Sequence, residues 1–383
     1  MNNKILDNMT DSLYTCRKTG RAVGFIRLTA MLAVLSTVAV SCKELYDLPS
    51  ESEYLSPNIN YANRTLEPII GRTTQLAQPN LDNSTQPMEF EIVNARYGDG
   101  RPVTDIFQVQ PVKVWIADYD GEETSLEEIE AKRRIEERPI FEVTPSGKFI
   151  FWGSSTNALV EPRPSDTVLL VQDIRYFDLK VTNAGGTTIL KDFQLIPWLE
   201  RPYDPADDIN PYTGDVAPDP EDPRHPLKRN YIRPSLSNVV GAESDRDLGV
   251  DNDRLNNVVA YIKPFEGGNG HNLRFVFWGP DSTVINPAHF NETVWDELVH
   301  GFNRVHTDEY VQYDVAYPIP LAAVQTDYTS GLFARTNFSY SRIGFNDALT
   351  IANIGLNFRI YREGDWQIIF HFRNELPKFE DEF

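Results

Sequence analysis

The sequence predicts a mainly β protein built as two β-sandwich domains joined by a Pro/Asp-rich linker. Three observations lead there. Short runs that alternate apolar and polar residues recur along the chain; "KFIFWGSS" at Lys148 to Ser155 returns as "RFVFWGPD" at Arg274 to Asp281; and "PYDPADDINPYTGDVAPDPEDPRHP", Pro202 to Pro226, lies between the two copies. A segment so poor in aliphatic side chains cannot order itself by core packing, which makes it a boundary.

Taken in order, residues 1–41 read as a lipoprotein signal peptide. Lys4, Arg17, Lys18, Arg21 and Arg27 precede Leu28 to Val40, a 13-residue apolar run too short to span a bilayer and suited to a secretory leader. The run closes on "AVSC", which places the small Ser41 directly before Cys42, the arrangement in which a thiol is alkylated by diacylglycerol ahead of cleavage. Of the 2 cysteines, Cys16 leaves with the leader, so Cys42 has no intramolecular partner. Acyl chains on Cys42, at about 0.8 kcal/mol per buried methylene, would hold a folded domain on a membrane without a spanning helix. Lys43-Glu44 resembles the signals that send lipoproteins of Bacteroidetes to the outer face of the outer membrane. Residues 42–71, polar and interrupted by Pro49 and Pro57, are expected to form a tether.

Residues 72–200 are the expected first domain. "MEFEIVN" at Met88 to Asn94 and "VKVWIA" at Val112 to Ala117 alternate as strands do. Ser125 with Glu128 forms a capping box, the pairs Glu128–Lys132 and Glu130–Arg134 support a helix, and Pro139 stops it; the segment is charged and is expected to be solvated. In "RYFDLKVTNAGGTTILKDFQL", Phe177, Leu179 and Val181 share one face, Asn183 to Gly186 suits a tight turn, and Ile189, Phe193 and Leu195 share a face on the return. This Phe-x-Leu-x-Val-Thr-Asn-x-x-Gly pattern resembles the terminal strand pair of immunoglobulin-like repeats in bacterial surface proteins, and so the first sandwich is expected to be immunoglobulin-like.

The linker is placed at residues 201–235 and the second sandwich at 236–383. Its expected strands are Val258 to Ile262, Leu273 to Trp278, Tyr310 to Ala316, Ile354 to Tyr361 and Trp366 to Phe372, the last two closing as a hairpin across "REGD"; a short helix is expected around Glu292 to Arg304.

The net charge of −20 disfavours nucleic acid and anionic polymers as partners, because phosphate neutralisation needs a basic face. In the twin blocks Phe149 and Phe151 point one way and Ile150 and Trp152 the other, and Phe275 and Phe277 oppose Val276 and Trp278 in the same manner. Trp152 and Trp278, with Trp295 and Trp366, are the candidate ligand-binding residues, as stacking surfaces for sugar rings; the competing reading buries them between sheets. His289, His300 and His306 near Glu292 and Glu297 lack a His-Glu-x-x-His spacing. Asp245, Asp247, Asp251 and Asp253 offer oxygens to a structural calcium, with a solvated acidic turn as the alternative, since the glycine and distal glutamate of a helix-loop-helix calcium loop are missing. No other cofactor and no catalytic residue is assigned: no Gly-x-Ser-x-Gly, phosphate loop or dinucleotide fingerprint occurs. Paired carboxylates of a glycoside hydrolase have no fixed sequence spacing.

"EPIIGRTTQLAQPNLDNSTQPMEFEIVNARYGDGRPV", Glu67 to Val103, with its Gly-Arg-Thr-Thr and Asp82-Asn83-Ser84-Thr85, and "GDWQIIFHF", Gly364 to Phe372, resemble an uncharacterised lipoprotein family of Bacteroidetes, domain of unknown function five thousand and seven. The resemblance covers nearly all of the chain after the leader. It implies surface lipoproteins often encoded beside outer-membrane nutrient-uptake systems and carries over no catalytic residue. The expectation is thus a lipid-anchored, non-catalytic outer-membrane protein that binds an extracellular polymer, a glycan, as an accessory to uptake. The alternatives are a structural or adhesive partner of an uptake complex and a glycoside hydrolase.

Overall fold

A computed structural model describes residues 53–162, 171–205, 231–250, 252–344 and 348–379. It is mainly β. In chain order β1 (Asn60–Tyr61), β2 (Thr65–Leu66), β3 (Thr74–Gln75), β4 (Pro79–Asn80), β5 (Glu89–Tyr97) and β6 (Val109–Trp115) precede a short helix, Leu126–Ala131. After it come β7 (Arg133–Pro139), β8 (Phe141–Val143), β9 (Phe149–Phe151), β10 (Arg175–Asn183) and β11 (Gly186–Leu195). The remaining strands are β12 (Tyr203–Asp204), β13 (Ser235–Ser237), β14 (Val258–Pro264), β15 (Asn272–Trp278), β16 (Gly301–His306), β17 (Tyr310–Val315), β18 (Thr329–Ser330), β19 (Phe333–Ile343), β20 (Leu349–Ile360) and β21 (Trp366–Phe372). No helix of the described residues is long and apolar enough to cross a membrane.

The chain clusters into two compact units. The described part of one is small, residues 53–55, 84–86 and 183–186, where Asn183 Nδ2 donates to the Tyr54 and Thr85 carbonyls, both at 2.9 Å. The other unit holds residues 56–83, 87–182 and 187 onward, and with them the sheets.

Within that unit β2, β11, β10 and β5 form one sheet, with β2 parallel to β11 and β5 antiparallel to β10. β3, β9 and β8 form an antiparallel second sheet. This distribution is compatible with the immunoglobulin-like reading, the long β10–β11 hairpin lying between β5 and a parallel leading strand. Five aromatic rings join the two sheets. Phe141, Phe149, Phe177 and Phe193 are fully buried; Phe149 meets Phe177 edge-on at 5.5 Å, and Tyr61 meets Phe193 edge-on at 5.2 Å. Each such ring contributes about 1.5–3 kcal/mol through burial, so this cluster helps hold the sheets together.

Several expectations change here. The tether assigned to residues 42–71 is tether in none of its described part that carries β1 and β2: Ile59, Tyr61, Leu66 and Ile70 are buried, and the Tyr61 hydroxyl donates to the Gly147 carbonyl at 2.6 Å. Ser125 caps the helix as expected, accepting from the Glu128 amide, but the helix ends at Ala131 and "RRIEERP" is strand β7, paired with β6 from Trp115–Arg133 to Val109–Pro139. The charges that suggested helical pairs go elsewhere: Lys132 bonds Glu123, and Arg133 bonds Glu130. Ile189 points outward, 47% exposed, while Leu190, Phe193 and Leu195 are buried; Asp192 has φ +63°, and this local break in the alternation moves Leu190 onto the face that Ile189 was expected to occupy.

The later strands form two five-stranded sheets, β14-β21-β15-β17-β16 and β12-β20-β19-β18 with β13 also on β20. They face each other across one core. Phe338 of β19 reaches Phe275, Phe277 and Phe370 at 5.3, 4.9 and 5.1 Å. The twin blocks behave alike: Phe149, Phe151, Phe275 and Phe277 are fully buried, and Trp152 and Trp278 lie half-buried on the opposite faces.

The closing hairpin across "REGD" does not form. β20 and β21 belong to different sheets, because β21 buries Ile368, Phe370 and Phe372 toward the core and Ile369 on its other face, which suits a strand flanked on both sides; it lies between β14 and β15, parallel to the latter. The expected helix at Glu292 to Arg304 is a single 3-10 turn, Trp295–Glu297, followed by strand β16. The linker assigned to 201–235 supplies β12 and β13 at its ends; its residues 206–230 lie outside the described residues.

Candidate functional site

β19 and β20 make the longest ladder, in register from Ala334–Phe358 to Ile343–Leu349. Alternation sends Phe338, Tyr340, Ile354, Leu356 and Phe358 into the core and turns Arg335, Asn337, Asn353, Gly355 and Asn357 outward. On that outer face Asn337 Nδ2 donates to Asn353 Oδ1 and to Ser339 Oγ, both at 2.9 Å, and Ser339 Oγ donates to Asn353 Oδ1 at 2.8 Å. Those bonds use the Asn337 amino group and leave its carbonyl oxygen as an acceptor on the Gly355 side.

The free edge of β20 is interrupted. β12 pairs only at Tyr203–Ile360 and Asp204–Arg359, β13 only from Ser235–Gly355 to Ser237–Asn353. Pro205 follows the first pairing and Pro234 precedes the second, and neither residue has an N–H with which to extend a ladder. Leu356, Asn357 and Phe358 therefore have no partner strand on that edge among the described residues. The gap opens into a polar groove of about 460 Å³ lined by Arg233, Ser235, Arg335, Asn337, Gly355 and Asn357, with Pro205 and Ser330 at its margin. A Cβ at Gly355 would stand 2.6 Å from Ser235 Oγ, so the missing side chain keeps the floor low.

Arg233 and Arg335 both line the groove, and no carboxylate of the described residues does. Arg233 uses Nε on Asn256 Oδ1 at 3.3 Å, and the exposed Arg335 side chain has no ion pair among the described residues. Asp204, beside Pro205, is already occupied: it accepts from Arg72 and from the Tyr361 hydroxyl at 2.9 and 2.7 Å. Burial alone would raise the Asp204 carboxyl, but the Arg72 charge and the Tyr361 bond outweigh it and hold it below the usual carboxylate range. The Tyr361 hydroxyl is pushed up, chiefly by burial. Such a site offers fixed amide and guanidinium hydrogen bonds to a polar, hydroxylated or anionic ligand.

The residues chosen from the sequence are not brought together. Trp366 is buried at 4% exposure and donates Nε1 to the Arg362 carbonyl. Trp295 packs partly buried against the core, near His306 and Phe338. Trp152 donates Nε1 to Glu142 Oε1 at 2.9 Å, and Trp278 meets His371 edge-on at 5.9 Å on the outer face of its sheet. The four tryptophans share no platform. Asp245 pairs with Lys378 at 2.6 Å and Asp247 accepts from the Gly249 amide at 2.8 Å; Asp251, the Asp253 side chain and Cys42 lie outside the described residues. No group of three potential metal ligands occurs among the described residues. The groove residues were missed, although "FARTNFSYSRI" alternates with a period of two that would have placed Arg335 and Asn337 on one face.

No curated protein is significantly similar to the chain. A family model described as Domain of unknown function (DUF5007) matches residues 80–381, most of the sequence and all of the groove, and the chain therefore belongs to that family.

Proposed function

We propose that this protein is a lipid-anchored, outer-membrane surface protein that binds an extracellular glycan at the β20 edge, as an accessory to nutrient uptake. The observation that carries the reading is the groove, where side chains that hydrogen-bond hydroxyl groups converge in a space of sugar size. Asn337 is held by Asn353 and Ser339, so little rotamer freedom is lost on binding. A polymer engaging several anchored copies gains avidity over weak single contacts. The leader and Cys42 supply the expected anchor.

Affinity electrophoresis of the full chain in detergent against neutral and acidic polysaccharides tests this. Retardation by at least one polymer, reduced in Asn337→Ala and Asn357→Ala, is the expected result; migration unchanged by every polymer would remove the reading.

A protein partner is the second reading. It is favoured by the β6–β7 ribbon, where Val109 and Ile135 are 57% and 67% exposed on one face with Trp115. The hydrolase alternative calls for paired carboxylates, and the groove offers none among the described residues.

A further inference from the structure

The groove's charge runs against that of the molecule. The chain carries −20, yet among the described residues this polar groove is lined by two arginines and no acid. Arg335 has no counter-charge among the described residues, Arg233 spends only Nε on a neutral amide, and Arg359, two residues beyond Asn357 on the same face, lies 4.0 Å over the Phe333 ring rather than on a carboxylate. Elsewhere arginines near acids pair with them, as Arg72 and Arg201 do with Asp204. Arg233 and Arg335 thus both line the groove with no carboxylate partner among the described residues, and the planar fork of each fits a carboxylate or sulfate by paired N–H bonds.

We infer that the groove selects acidic sugars. A carboxylate or sulfate of the polymer is held by Arg233 and Arg335, while the ring hydroxyls meet Asn337 and Asn357. This rests on the glycan reading and names its ligand class. The net charge of −20 repels acidic polymers at long range, so contact depends on short-range pairing, and that pairing weakens as salt screens it.

The test uses the full chain in detergent with four probes: polygalacturonate, its fully methyl-esterified form, a sulfated galactan, and poly-glutamate as an acidic peptide. Polygalacturonate or the sulfated galactan is expected to bind at least about tenfold more tightly than the ester, each Arg→Gln change (R233Q, R335Q) to lower that affinity about tenfold, and Asn357→Ala to weaken acid and ester together. Tighter binding of the sulfated polymer assigns sulfate as the anion; tighter binding of polygalacturonate assigns carboxylate. Equal affinity for acid and ester, or an R233Q/R335Q double variant that binds polygalacturonate as the parent does with an unchanged thermal midpoint, overturns the inference and leaves glycan binding standing. Poly-glutamate bound as tightly as either acidic polysaccharide overturns it in favour of a peptide. Failure of every polysaccharide to bind removes the underlying glycan reading as well.

Discussion

Arg72 and Asp204 form an ion pair at 2.9 Å across 132 residues of sequence, with side chains only 9% and 14% exposed. Arg72 follows β2, Asp204 ends β12, and the guanidinium also lies 3.9 Å over the Tyr361 ring and donates to the Arg201 carbonyl. The pair thus ties a segment next to the first group of sheets to the edge of β20, where the groove begins.

Removing Arg72 leaves the buried Asp204 carboxylate with Arg201 as its remaining guanidinium partner. Arg72→Met is expected to destabilise the protein by about 1.5–3 kcal/mol, read as a lower urea midpoint. A loss under about 1 kcal/mol would mean that Asp204 is reached by water and that the pair is incidental.

The same pair fixes a pH dependence. Because the folded Asp204 carboxyl is depressed below its unfolded value, its stabilisation is complete above the ordinary carboxylate range, near pH 4, and is lost as the pH falls through the folded value. The urea midpoint of the parent should therefore exceed that of Asp204→Asn at neutral pH, and the gap should close in acid. A gap that stays constant down to about pH 3 would contradict the assignment.

Phe338 touches three phenylalanines of the opposing sheet, so truncating it opens a cavity that neither sheet can close alone. Phe338→Ala is expected to cost about 3–5 kcal/mol, seen as a lowered thermal midpoint by circular dichroism. A cost below about 1 kcal/mol would show that the sheets re-close over the gap.

Gly355 faces outward under the groove. Gly355→Leu should fill it and abolish retardation by the bound polysaccharide while shifting stability by no more than about 1 kcal/mol, since Ser235 Oγ, the nearest obstacle, is a rotatable side-chain end. Unchanged retardation in this variant would move the binding site elsewhere.

Much of the strand content was legible in local pattern. The β10–β11 hairpin follows from the alternation of Phe177, Leu179 and Val181 and from the Asn183–Gly186 turn, and β14, β15, β17 and β21 follow from apolar runs. β19 escaped because the buried Thr336 and Arg342 interrupt its inward row. "REGD" was misread because a four-residue polar turn serves an arch between sheets as well as a hairpin, and only the two-faced burial of β21 decides between them. The groove was out of reach for another reason: Arg233, Ser235, Arg335 and Asn357 come from three separate segments, and the gap between β12 and β13 that assembles them is a fact of pairing, not of composition.

The position of β21 also governs the order of assembly. It lies between β14 and β15, both of which leave the ribosome long before it does, so during synthesis these two strands wait with bare hydrogen-bonding edges. The sheet closes only when Trp366–Phe372 arrives. A chain halted short of that point is left with two unpaired strand edges, each a template for aggregation.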